Sequence, residues 1–293
     1  MDNQKKGLLL VSIGALFWGG SGVAGQYILH DKSFSPDWLV CMRMLTAGFI
    51  LLTIDALKSR GGTFSVWRDK RDAALLVTFG IFGMMGAQYT YFLSIYYGNA
   101  AAASILQFTM PILIVFWTAL ASQRLPRFKE LFCVALALIG TFLLVTHGRT
   151  DALAIPLPAV LWGIASAFAA AFYVISPKGL LLKYRSPLII GWSMFLGGLF
   201  LIPIADPLHF RGTLDASALL AFLYVIIFGT VVAFWSYLES IKYISATMTG
   251  TLAALEPLAA VVLSVFLLGM SFGIIELLGA AFILAAVTIL ARK

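Results

Sequence analysis

The run Ile244–Leu268, ISATMTGTLAALEPLAAVVLSVFLL, decides how the rest of the chain is read. It holds one acid, Glu256, followed directly by Pro257. At about 1.5 Å per residue, a helix of this length crosses a hydrocarbon core of about 30 Å. Glu256 then falls near mid-depth, where a charge needs a partner, a proton or water. Pro257 removes a backbone donor and opens the helix at the same level. An acid beside a helix break at mid-depth is where a transporter holds cargo or a coupling ion.

The remainder of the chain has the same character. Of 293 residues, 61% are hydrophobic and 11% charged. A soluble domain carries about 25% charged residues, so the composition points to an all-α polytopic membrane protein. Ten spans are expected, at about 7–29, 37–57, 73–95, 98–121, 129–146, 157–177, 187–204, 216–238, 244–268 and 274–291. The first is too long for a signal h-region and is read as a retained span. Cys41 and Cys133 sit inside apolar runs and suggest buried thiols rather than a disulfide framework.

The net charge of +7 is explained by topology. With a cytoplasmic N-terminus, the inside segments hold Lys5, Lys6, Lys58, Arg60, Arg68, Lys70, Arg71, Arg124, Arg127, Lys129, Lys178, Lys183, Arg185, Lys242, Arg292 and Lys293. The outside loops hold only Lys32, Arg149 and Arg211. The positive-inside rule then puts both termini in the cytoplasm and requires an even number of spans. No nucleic-acid partner is needed to account for the basic excess.

The chain also repeats itself. Shifted by 146 residues, Phe82–Leu144 aligns with Phe228–Leu290 without a gap, and sixteen of the 63 pairs are identical. The matches include Gly83/Gly229, Tyr91/Tyr237, Tyr97/Tyr243, Pro111/Pro257 and Glu130/Glu276. Five spans per copy is an odd number, so the second copy is expected upside down relative to the first. Inverted repeats are a signature of secondary transporters. The expected halves are residues 1–150 and 151–293.

These features resemble the EamA-type branch of the drug/metabolite transporter superfamily. The resemblance rests on Ala15-Leu16-Phe17-Trp18-Gly19, Arg43-Met44-Leu45, Tyr91-x-x-Ser94-Ile95-x-Tyr97 with Ala100–Ser104, Tyr237-x-x-Ser240-Ile241-x-Tyr243, and Glu256-Pro257. It covers essentially the whole chain. It implies a ten-helix bundle around a central cavity in the bacterial inner membrane, often exporting amino acids or other metabolites. One departure stands out: Met110-Pro111 occupies the place of Glu256-Pro257 in the first copy, so the acid is one-sided.

Glu256 is the leading candidate for cargo binding and proton coupling. A low dielectric disfavours its charged form, so it is suited to take and release a proton. The competing reading is a protonated acid bracing two helices. Gln107, one turn before Met110, is a candidate to hydrogen-bond cargo or a neighbouring helix. Trp18, Tyr89, Trp162, Tyr173, Trp235 and Tyr237 lie inside spans, as cavity walls or as packing. Among these, Trp18, Tyr89, Tyr173 and Trp235 are the binding candidates. Pro111 and Pro257 are candidate hinges or static kinks. Ser21 with Gly25, and Ala167 with Ala171, have the spacing of close helix packing. Arg43 either pairs with an acid such as Glu256 or snorkels to the outer surface. The several-residue difference in depth favours snorkelling.

No Walker A motif, metal-ligand spacing or nucleophile–base arrangement is evident. The expectation is therefore a cofactor-free, metal-free secondary transporter of a small molecule in a lipid bilayer, with protons as a candidate coupling partner. An uncoupled facilitator is the first alternative. A membrane-embedded enzyme, a lipid-handling protein or a structural subunit is further off.

Overall fold

The computed structural model describes residues 3–59, 62–121, 123, 125, 127–147, 154–240, 243–244 and 252–291. All the regular elements among them are helical. In chain order these are α1 Asn3–His30, α2 Pro36–Ser59, α3 Lys70–Thr78, α4 Gly86–Tyr97, α5 Ala100–Gln107, α6 Met110–Ala121 and α7 Phe128–Thr146. There follow α8 Leu157–Ile175, α9 Lys178–Lys183, α10 Ser186–Ala205, α11 Ala216–Ile226, α12 Ala233–Ser240, α13 Leu255–Leu268 and α14 Ile274–Ala291. A π-helical segment, Phe79–Met85, joins α3 to α4, and another, Ile227–Val232, joins α11 to α12.

Six helices are long and apolar enough to cross a membrane by length and composition: Asn3–His30, Pro36–Lys58, Lys70–Tyr97, Leu157–Lys183, Ser186–Ala205 and Ala216–Tyr237. Shorter apolar helices cover Ala100–Ile114, Leu255–Leu268 and Ile274–Ile289. The outer surface of the bundle is apolar, with Phe49, Phe168, Leu220 and Phe266 all exposed. Such a surface suits lipid and not water. The charges expected at Arg60, Arg124, Arg149, Lys242, Arg292 and Lys293 lie outside the described residues, as does the stretch 245–251 of the expected ninth span.

The helix ends follow from local chemistry. Asn99 accepts from the Ala102 N–H at 2.8 Å and starts α5, only two residues after α4 ends at Tyr97. Asp215 likewise caps α11 through the Ala218 N–H. The recurrence of Glu130 and Glu276 has a capping explanation. Glu130 accepts from the Arg127 N–H at 2.7 Å, and Glu276 from the Gly273 N–H at 2.6 Å, each three residues back.

Two helix pairs pack closely through glycine. A Cβ at Gly140 of α7 would come within 2.6 Å of the Gly279 carbonyl oxygen of α14, and one at Gly279 within 2.7 Å of the Gly140 oxygen. In the α2–α10 pair, a Cβ at Gly48 would meet the Phe195 nitrogen at 2.6 Å. Backbone-to-backbone approach of this kind drives helix association where the surroundings are as apolar as the side chains. Gly140→Leu is therefore expected to force α7 from α14 and lower the melting temperature of the purified protein by several degrees. Leu138→Ala, on the exposed side of α7, is expected to leave it nearly unchanged.

The α2–α10 pair is clasped at both ends. At one end Arg185 donates to both oxygens of Asp55, at 2.7 and 3.1 Å, and Thr63 donates to the same carboxylate. Beside it, Lys183 and Tyr184 both donate to Asp72. At the other end the Trp38 indole N–H donates to the Pro207 carbonyl; Lys32, in the connection before α2, pairs at 2.6 Å with Asp215, the cap of α11.

The hydrogen bond from Lys32 holds the Asp215 carboxyl well below the usual carboxylate range, and Asp215 in turn raises the lysine. The acid's contribution is therefore present above the ordinary carboxylate value of about 3.9 and lost only as pH falls through the depressed one. The lysine's contribution is present below about 10.4 and lost as pH rises through the raised value. The difference in melting temperature between wild type and Asp215→Asn is thus expected to stay flat from about pH 5 to 9.

Candidate functional site

A cavity of about 100 Å³ opens among α1, α2, α4, α5, α8, α12 and the start of α13. Four pairs of residues that stand 146 apart in sequence line it: Gln88 and Phe234, Tyr91 and Tyr237, Gln107 and Ala253, Met110 and Glu256. Trp18, Ser21, Arg43 and Tyr173 complete the chemically distinctive part of the wall.

Two broken helices meet at this cavity. The chain between α5 and α6 leaves helical geometry at Phe108 and Thr109, where the Thr109 N–H reaches back to the Leu106 carbonyl at 3.1 Å. Pro111 then sits at the second position of α6, where a missing N–H costs little. Glu256 and Pro257 occupy the corresponding first turn of α13. The break therefore precedes each proline, and the prolines start helices instead of kinking them. Glu256 consequently lies at a helix N-terminus, whose dipole favours a carboxylate. Among the described residues no hydrogen bond or ion pair holds the Glu256 side chain. Gly19 of α1 allows the approach: a Cβ there would lie 2.5 Å from the Glu256 carbonyl oxygen.

Arg43 corrects an expectation. It does not snorkel; it is only 4% exposed and turns into the bundle. Its Nε donates to Thr230 Oγ1 at 2.6 Å and its Nη2 to the Gly229 carbonyl at 3.1 Å. Both acceptors belong to the π-helical segment Ile227–Val232. The wider π turn changes the i→i−4 ladder and leaves a carbonyl for an outside donor. The Phe92 ring lies 5.0 Å from the guanidinium carbon and adds a cation–π contact. Interior acceptors, absent from any reading of depth alone, thus outweigh the pull of the surface. Arg43 and Glu256 line the same cavity with opposite formal charge.

The sequence candidates divide by helix face. Glu256, Gln107, Trp18 and Tyr173 all line the cavity. Gln107 also donates to the Ala87 carbonyl at 3.4 Å. Trp18 packs on Phe234 and Tyr237, with ring centroids 4.9 Å away in each case. Tyr173 stacks on Phe79 at 5.8 Å. Tyr89 and Trp235 are elsewhere. The Tyr89 hydroxyl donates to Asp37, and the Lys58 ammonium sits 4.6 Å over the Trp235 ring. Residues 84, 87, 88 and 91 share one helical face, and residue 89 points about 100° away from residue 88. Pro111 and Pro257 mark the breaks without forming the distinctive wall.

Gln88, Tyr91, Ser104 and Ser21 were not picked out from sequence as binding residues. Gln88 was within reach of that reasoning, lying three residues before the matched Tyr91 and hence on its face. Tyr91 and Ser104 hydroxyls bond each other at 2.7 Å. Ser21, expected to serve close packing, does so against Gly229, where a Cβ would lie 2.3 Å from the serine Cβ, and it also lines the cavity.

The EamA-like transporter family model matches the chain twice, over residues 5–146 and 157–292. The chain is 40% identical over 292 residues to a Salmonella typhimurium (strain LT2) protein named "Uncharacterized inner membrane transporter YicL", covering 99% of this chain and 96% of that one. It is 25% identical to Protein PecM of Dickeya dadantii, covering 93% and 88%. A crystal structure of a protein 18% identical in sequence shares the fold at a TM-score of 0.65, covering 98% and 96% of the two chains. With helices built to cross a membrane and both stretches matched, the chain belongs to the EamA-like transporter family and is a membrane transport protein.

Proposed function

We propose that this protein is a secondary transporter that carries small organic metabolites, such as amino acids, out of the cell across the inner membrane. In this reading, residues 1–150 and 151–293 each supply five spans, the second five inverted relative to the first. Both termini are cytoplasmic. The halves rock about the shared cavity to give alternating access, and Glu256 carries the coupling proton. The observation that supports this most is the set of four residue pairs, 146 apart, that line one cavity, Glu256 among them. Repeat-related halves around one site are the geometry alternating access uses.

Purified protein in proteoliposomes, loaded with a radiolabelled amino-acid mixture, tests the reading. A proton gradient is expected to accelerate flux severalfold over the same vesicles without one. Flux that is saturable but indifferent to the gradient would support the uncoupled facilitator, with Glu256 only binding cargo.

A further inference from the structure

The cavity contains polar atoms that no described residue pairs. Gln88 is 6% exposed, and among the described residues neither its Nε2 nor its Oε1 has a hydrogen-bond partner. The Trp18 Nε1 and the Ser21 Oγ are in the same condition. Trp18 and Ser21 are three residues apart on α1, on one face. Polar groups buried this way are normally paired, and when they are not they call for a ligand or water. The nearest comparison is within the chain. The Tyr91 hydroxyl lines the same wall and is satisfied by Ser104, whereas Gln88, one turn earlier, is left open.

We propose that Gln88, with the Trp18 indole N–H, recognises a planar cargo carrying an N–H and a C=O side by side, as in a cyclic amide or a ring carboxamide. A carboxamide offers one donor face and one acceptor, and another amide edge is its direct complement. The remaining wall fits such a cargo. Trp18, Tyr91, Tyr173, Phe234 and Tyr237 are aromatic and suit a flat ring. A cavity of about 150 Å³ is known to hold benzene, so this one, about 100 Å³, leaves room for no more than a single ring. Arg43 and Glu256 together give the wall no net formal charge, which matches a neutral ligand. The counterpart of Gln88 in the other half is Phe234, so one side of the cavity reads the edge and the other packs the ring. This rests on the reading that the cavity is the cargo site.

The test is calorimetric titration of the purified full chain with uracil and nicotinamide, against pyrimidine and pyridine, which have the ring without the edge. The amide-bearing probes are expected to bind about tenfold or more tightly than the bare rings. Gln88→Leu is expected to abolish that preference. It should also raise the melting temperature of the ligand-free protein, since an unpaired amide leaves the interior. Equal affinity for both kinds of probe, or a lower melting temperature in Gln88→Leu, would overturn the proposal and make Gln88 a helix brace. Because binding is read in detergent without flux, uracil binding alongside absent transport would sink the transport reading and leave this one standing.

Discussion

Arg43→Ala is expected to lose transport by at least tenfold and to lower the melting temperature by about 10 °C. The substitution leaves the Thr230 hydroxyl and the Gly229 carbonyl without their donor. Each hydrogen bond to a charged group contributes about 1.5–3 kcal/mol. It also leaves Glu256 facing the cavity with no opposite charge beside it. Arg43→Lys is expected to recover only part of the loss, because a single ammonium cannot reproduce the fork that reaches both acceptors. If the two charges act on one another, Arg43→Ala combined with Glu256→Gln is expected to be more stable than the sum of the single losses. Strict additivity in a thermal-shift cycle would separate them and restrict Arg43 to bracing the π turn.

Glu256→Gln is expected to fold with a melting temperature close to wild type and to lose the dependence of transport on pH between about 5 and 8. Glutamine keeps the shape of the protonated acid and cannot release a proton. Two effects act on the native carboxyl in opposite senses. The apolar surroundings of the cavity favour the neutral form, while the N-terminus of α13 and Arg43 in the same cavity wall favour the charged one. A group balanced in this way can change protonation when the surrounding helices move. Flux measured in proteoliposomes at several pH values checks the point. A variant with the wild-type pH profile would remove Glu256 from coupling.

The internal repeat was legible in the sequence because a few polar and proline residues recur at one offset. Glu130 and Glu276 recur because each caps a helix, and Pro111 and Pro257 because each starts one. Hydropathy could not reveal which face of a helix looks inward when every face is apolar. This is why Tyr89 and Trp235 read as wall candidates while Gln88 and Phe234, which line the cavity, do not stand out. The π-helical segments were equally hidden, since no residue type demands one. Without them the acceptors for Arg43 could not be anticipated, and a side chain two turns from the surface was expected to reach back to it. The site of the helix break was displaced for a simpler reason: a proline in a long apolar run reads as a kink, although it is also well suited to the first turn of a new helix.

The most direct measurement is the side from which the cavity can be reached. Single cysteines at Met110 and at Ala253, both lining the cavity, in a background with Cys41 and Cys133 replaced by serine, would be treated with a membrane-impermeant maleimide from each face in turn. Both positions are expected to label from the cytoplasmic face in one cargo gradient and from the opposite face when the gradient is reversed. Labelling of either position from one face only, under every gradient, would contradict two halves rocking about a shared cavity.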